Sequence, residues 1–173
     1  MDDRYVAFLR GINVGGHALI KMEDLRKLFV SLGLNNVKTY IQSGNVVFES
    51  AESEKIITQK IERGIKTKFK QDITVFIRTM PDIEKIIAKN PFKKLPSEAK
   101  PYVTFISEAV KLKLPLFSAN KDVEVFRMIN NNLFSFSHKV KGKRGFPNTF
   151  IEKQLKIKAT TRNWETVKKI LEL

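Results

Sequence analysis

The chain contains no cysteine. That removes disulfides, thiolate metal sites and a cysteine nucleophile. It has two histidines, His17 and His138, and neither falls in a chelating spacing such as His-x-x-x-His. No apolar stretch approaches the roughly 18 residues that a membrane-spanning helix needs. The opening Met1-Asp2-Asp3-Arg4 is acidic and leads straight into a strand-like run, whereas a secretory leader begins basic and continues apolar. Acids are scarce as well: 18 Asp and Glu face 32 Lys and Arg, a net charge of +14. From these absences we expect no metal, no cofactor, no membrane partner and a cytoplasmic location. The basic balance points to polyanions, either nucleic acid or a phosphorylated small molecule. A lysine-coated soluble surface has the same total, because net charge says nothing about clustering.

What is present reads as alternating strands and helices. Residues 4–10 hold the apolar run Tyr5-Val6-Ala7-Phe8-Leu9 of a buried strand. A Gly-rich connection follows, Gly11-Ile12-Asn13-Val14-Gly15-Gly16. Leu25, Leu28, Phe29 and Leu32 form the stripe of a helix over 22–32, with Gly33 where a C-terminal cap belongs. A hairpin over 37–48 turns at Ser43-Gly44-Asn45. Ile57, Ile61, Ile65 and Phe69 predict a helix over 53–69, and residues 73–78 a closing strand. The order is βαββαβ.

The second half repeats this order. A helix over 81–89 ends at Asn90-Pro91, and residues 96–101 read as a linker. A strand over 102–106 precedes a helix over 109–120 that Pro115 interrupts. A hairpin over 123–137, a helix over 147–155, a short strand near 159–161 and a last helix capped by Thr161 or Asn163 complete it. The expected fold is α+β: two ferredoxin-like βαββαβ units, antiparallel sheets with helices packed on one face. The expected division is 1–79, a helix and linker over 80–101, and a second unit with its C-terminal helix over 102–173.

Several motifs carry chemistry. Glycines between a strand and a helix free backbone N–H groups to face an anion, with Arg10 supplying charge at the strand's end. The pattern is neither a Walker loop nor a dinucleotide fingerprint, and a tight turn needing positive φ has the same composition. Gln42-Ser43-Gly44-Asn45 lacks the flanking glycines of a nucleophile elbow and reads as a hairpin turn. Arg144-Gly145-Phe146 begins like the strand of an RNA-recognition module, but Pro147 suits the first residue of a helix. Lys139, Lys141, Lys143 and Arg144 open a basic stretch interleaved with Phe134, Phe136, Phe146 and Phe150. Cations beside aromatics suit single-stranded nucleic acid, but the Phe134/Phe136 alternation favours a strand's inner face with the lysines merely solvated. Thr160-Thr161-Arg162-Asn163-Trp164 reads either as an anion-holding helix start or as capping with a buried Trp.

Three of these segments together, Leu9 to Gly16, Thr39 to Phe48 and Thr160 to Trp164, resemble a bacterial family, the domain-of-unknown-function 1697 family. The resemblance runs from end to end and implies a pair of ferredoxin-like units. It departs at Lys143-Arg144-Gly145-Phe146-Pro147, where a turn containing Ser and Lys is expected. It implies no activity, substrate or cofactor.

The resulting expectation is a binder of an anionic ligand. Its residues are Arg10, Gly11, Asn13, Gly15, Gly16, Ser43, Asn45, Thr161, Arg162 and Asn163, with Arg10 and Arg162 as charge partners meeting in a common hollow. Two alternatives stand beside it. One is an enzyme on a small phosphorylated or carboxylated metabolite, with His17 and Glu23 as its acid-base candidates. The other is an interaction or scaffold protein without a pocket. The ferredoxin-like fold hosts all three.

Overall fold

The computed structural model describes residues 2–173. The chain is a mixed α/β protein with antiparallel sheets and five helices among the described residues. It divides into one unit of Met1–Glu84 with Ile170–Leu173 and another of Lys85–Lys169.

The first unit runs β1 (Asp3–Leu9), α1 (Met22–Ser31), β2 (Asn35–Tyr40), β3 (Asn45–Ser50), α2 (Glu54–Phe69) and β4 (Val75–Thr79). α3 (Met80–Lys89) begins in it. The sheet order is β2-β3-β1-β4, antiparallel throughout. The continuous apolar run of β1 belongs to a strand buried on both faces: Tyr5, Ala7 and Leu9 join the core beneath the helices, and Val6 and Phe8 are buried between them in sequence. Leu25, Leu28 and Phe29 bury one stripe of α1, and Ile57, Ile61 and Ile65 one stripe of α2. Each fully buried isoleucine contributes roughly 1.5–3 kcal/mol.

α1 ends as its sequence requires. Gly33 adopts φ +79°, its N–H donates to the Val30 carbonyl at 3.0 Å, and the Leu34 N–H donates to Phe29 at 3.2 Å. This is the Schellman closure, which needs a residue free to enter the left-handed region. Gly64 has a different reason. A Cβ there would lie 3.1–3.3 Å from the terminal methyls of Leu28 and Leu32, so its absence lets α1 and α2 approach.

The second unit contains β5 (Lys100–Ile106), β6 (Leu116–Phe117), β7 (Val123–Ile129), β8 (Asn132–Ser137), β9 (Lys139–Val140), β10 (Lys143–Arg144), α4 (Pro147–Leu155), β11 (Ala159–Asn163) and most of α5 (Trp164–Ile170). Its main sheet is ordered β11-β5-β8-β7-β6, and β9 and β10 form a small hairpin. Two expectations change here. No helix forms over 109–120; the segment is extended and ends in β6. Val110, Leu112, Leu114 and Leu116 alternate along it and pack against Ile106, Val125, Leu133, Ile151 and Ala159. That period of two matches a strand-like chain and not a helix. The linker over 96–101 is shorter than expected: residues 96–99 are irregular, and β5 starts at Lys100.

The other face of this sheet holds aromatic rings. Phe92 packs edge-on against Phe126, Phe134 and Trp164 at 5.7, 5.9 and 5.0 Å, and Phe126 lies 5.9 Å from Phe136. The last helix is capped as one of the two expected ways: Asn163 Oδ1 accepts the Thr166 N–H at 2.7 Å.

Candidate functional site

The glycine loop is built on the end of β1. The Leu9 N–H donates to Gly44 at 2.9 Å and the Arg10 N–H to Thr74 at 2.9 Å. β1 is thereby tied to the 41–44 turn on one side and to the start of β4 on the other. Beyond Arg10 the backbone enters the left-handed region repeatedly: Gly11 at +69°, Asn13 at +55°, Gly15 at +57°, Gly16 at +78° and Ala18 at +46°. Asparagine tolerates this region better than most residues with a side chain.

Asn13 is the loop's fastening. Its Nδ2 donates to the carbonyls of Ile20 and Gln42, both at 2.9 Å, and its Oδ1 accepts the Ile20 N–H at 2.8 Å. Its own N–H donates to Ala18 at 3.2 Å, and the His17 N–H donates to Val14 at 3.0 Å. One amide side chain therefore closes the loop on itself and pins it to the hairpin turn. Ile12 is buried beneath, while Gly11, Gly15, Gly16 and His17 are exposed and Arg10 is half-buried.

The hairpin turn is fitted to this loop. Gly44 has φ +77°, and a Cβ on it would lie 2.6 and 2.8 Å from the Ile12 side chain and 3.0 Å from Leu9 Cβ. Asn45 is fully buried; its Nδ2 donates to Tyr40 O and Ser43 Oγ, both at 3.0 Å. The first unit therefore brings together Arg10, Gly11, Asn13, Gly15, Gly16, Ser43 and Asn45. Among them, Asn13 and Asn45 shape the backbone, and the exposed glycines face outward. Gln42, whose carbonyl receives Asn13, was absent from the expected set; only a contact in three dimensions reveals it.

Thr161, Arg162 and Asn163 lie in the second unit, on β11. Thr161 shares a buried hydroxyl contact with Thr104 at 2.7 Å and donates to Asn148 Oδ1 at 3.0 Å. Arg162 is 7% exposed. Its Nη1 donates to Thr160 Oγ1 at 2.8 Å and to the Thr161 carbonyl at 2.9 Å. Burial pulls its pKa down to about 10, because a low-dielectric surrounding disfavours the cation. Asn163 is exposed and serves as the α5 cap.

The stretch opening at Lys139 separates by residue. Lys139, Lys141 and Lys143 are exposed. Arg144 donates to the Ser137 carbonyl and, at 3.0 Å, to the Glu98 carbonyl, so it fastens β10 to its surroundings. Phe134 and Phe136 are core, at 0% and 7% exposure. Phe146 is exposed and stands edge-on to Tyr102 at 5.6 Å.

Arg78 went unsuspected. It is half-buried on β4, and desolvation lowers its pKa to about 10 against the opposing pull of Glu54 and Asp82. A lone Arg before a helix carries no sequence signal of such a setting. Among the described residues no group of three or more His, Asp or Glu side chains could hold a metal ion. No helix is long and apolar enough to cross a membrane.

Comparisons with known proteins agree with the architecture. A solved structure titled a conserved bacterial protein, SP0830 from Streptococcus pneumoniae, superposes with a TM-score of 0.70 at 22% identity, covering 98% of this chain and 97% of that one. At that identity the likeness shows the fold alone. Comparison with curated proteins gives no match. The family described as "Protein of unknown function (DUF1697)" matches over residues 2–134, a span that includes the glycine loop, the hairpin turn and the first three main strands of the second sheet, and the chain belongs to that family.

Proposed function

We propose that the protein binds an anionic ligand, nucleic acid or a phosphorylated small molecule, at the glycine loop of its first unit. The observation that carries this reading is the Asn13 fastening: it holds consecutive exposed glycines, Gly15 and Gly16, at positive φ on a loop that is internally tied. Amides preset in this way form an anion-binding concavity without reordering when the ligand arrives. Arg10 stands at the loop's root as charge partner, beside Gly11. Ser43 and Asn45 set the turn that supports the loop. In the second unit, taken by itself, Thr161, Arg162 and Asn163 form the second element of this reading, with Arg162 as its cation. Lys139, Lys141, Lys143 and Arg144 stand as an auxiliary nucleic-acid surface. The chain's +14 charge supports a polyanion over a neutral ligand.

The architecture behind this reading is a pair of ferredoxin-like units. The order β2-β3-β1-β4 in the first and β11-β5-β8-β7 in the second supports it; in the second, an extended segment takes the place of the first helix. The metabolite-enzyme alternative gains no observation. Glu23 is exposed and paired with Lys27 at 2.7 Å, which holds its carboxyl below the usual range. A general base near neutral pH needs the opposite shift.

Titration with inorganic phosphate, single-stranded DNA and RNA across salt tests the reading. Expected are a steep negative slope of log K against log salt for the nucleic acids and a loss of tenfold or more on Arg10→Ala. Absence of binding to all three at low salt overturns it.

A further inference from the structure

A basic hollow lies wholly within the second unit, at the turn after α3. It encloses about 430 Å³ and is lined by Lys89, Asn90, Lys93, Lys94, Phe126 and Arg127 with Pro91. Four cations meet there without a carboxylate in the lining. Among the described residues, no salt bridge engages any of the four.

The hollow is a product of local backbone design. β7 and β8 pair Val125 with Ser135 and then Arg127 with Phe134, so the register shifts between Val125 and Arg127. Phe126 is the extra residue of a bulge. In an unbroken strand Arg127 would share the face of Val125, which lies in the core with Ile151 of α4. The bulge moves Arg127 to the Phe134 face, beside Phe126, and puts an aromatic ring and a guanidinium next to each other. Bulges re-aim side chains in this way at functional positions. Phe92 does the rest. It is buried at 8% exposure against Phe126, Phe134 and Trp164, and so anchors the turn that carries Lys93 and Lys94 beside the hollow.

We infer that this hollow binds a nucleoside phosphate, free or as a unit of a single-stranded nucleic acid. The base would lie on the partly exposed ring of Phe126, and the phosphate among Lys89, Lys93, Lys94 and Arg127. Stacking plus backbone charge is the recognition mode of single strands, and the volume falls in the range of small-ligand sites. The site is independent of the glycine loop, since the bulge and the aromatic anchor belong to another unit.

The test uses the full chain and five probes: AMP, adenosine, inorganic phosphate, a single-stranded oligothymidylate and an oligouridylate. AMP is expected to bind and adenosine not. Lys93→Glu with Lys94→Glu, both exposed positions, should weaken AMP and the oligonucleotides tenfold or more. It should also flatten the salt slope of the oligonucleotides by about 1.4, two contacts at 0.7 each. Lys111→Glu with Lys113→Glu, exposed positions outside the hollow, changes the net charge equally and should leave AMP within twofold. Phe126→Leu, which keeps an apolar side chain in the aromatic cluster, should weaken AMP but not phosphate. An oligonucleotide at least tenfold tighter than AMP makes nucleic acid the source of the ligand; equal affinities make it a free nucleotide. Equal losses from the two double reversals, or no binding of AMP and both oligonucleotides at low salt, would overturn the inference.

Discussion

The two units solve the same problem with different materials. In the first, α1 and α2 cover the helix side of the sheet, and their apolar stripes recur every three or four residues. In the second, α4 covers part of the equivalent side. The segment carrying Val110, Leu112, Leu114 and Leu116 covers more of it as extended chain. The polar features differ in kind as well. The first unit presents backbone amides on a loop held by one asparagine. The second presents side-chain cations and a ring brought together by a bulge. A shared strand order thus leaves the chemistry to connections and irregularities, and it is there that function on such folds resides.

Turn glycines break the comparison most forcefully. Gly44 and Gly142 have nearly the same φ, +77° and +78°, but a Cβ on Gly44 strikes Ile12 and Leu9 while one on Gly142 meets nothing within 4 Å. Gly44→Ala combines left-handed strain of roughly 1–2 kcal/mol with overpacking of roughly 1–3 kcal/mol, so denaturant unfolding should show a loss of about 3 kcal/mol. Gly142→Ala bears only the strain and should lose about 1 kcal/mol. Equal losses would mean that the turn of the first unit is no more tightly fitted than that of the second.

Asn13→Ala comes next. It removes three side-chain hydrogen bonds, worth about 1 kcal/mol each or less at a partly exposed site, and leaves an alanine at positive φ. A loss of about 2 kcal/mol is expected, with faster hydrogen exchange at the Ile20 amide. An unchanged Ile20 amide would show that the loop does not depend on Asn13.

Pro115→Ala sharpens the contrast in the second unit. If proline alone kept 109–120 from forming a helix, the substitution would raise the helical circular dichroism signal. Because the apolar residues alternate with period two, the signal should stay unchanged.

The smallest effect concerns pH. Desolvation raises the Glu54 carboxyl above its ordinary value of 4.5. For a group raised in the folded state, its contribution to stability is present below the unfolded pKa and is lost as pH rises through the folded one. Glu54→Gln should remove a slight decline in stability as pH rises from about 4.5 upward. Because the group is more than half solvated, the change should be small, and a steeper decline in the variant would reverse the assigned sign.

Much of this was legible in the residues. Periodicity marked α1, α2 and the buried β1, Gly33 announced its cap, and Thr161 and Asn163 stood as alternatives for the last one, because such signals are local. The 109–120 segment was misread for a specific reason. Pro115 drew attention to an interrupted helix, while the alternation of Val110, Leu112, Leu114 and Leu116 was already present in the sequence. The glycine loop was visible as composition, but its fastening through the Gln42 carbonyl was not, since it joins residues 29 apart. The hollow around Phe126 was hidden more deeply: a bulge is a fact of pairing between two strands, and no single strand carries its signature.

A ¹H–¹⁵N correlation titration with inorganic phosphate reaches the proposed function most directly. Saturable shifts of the Gly11, Gly15 and Gly16 amides, lost in Asn13→Ala, are the expected result. Phosphate that binds the folded protein while leaving those three amides unmoved would contradict the account.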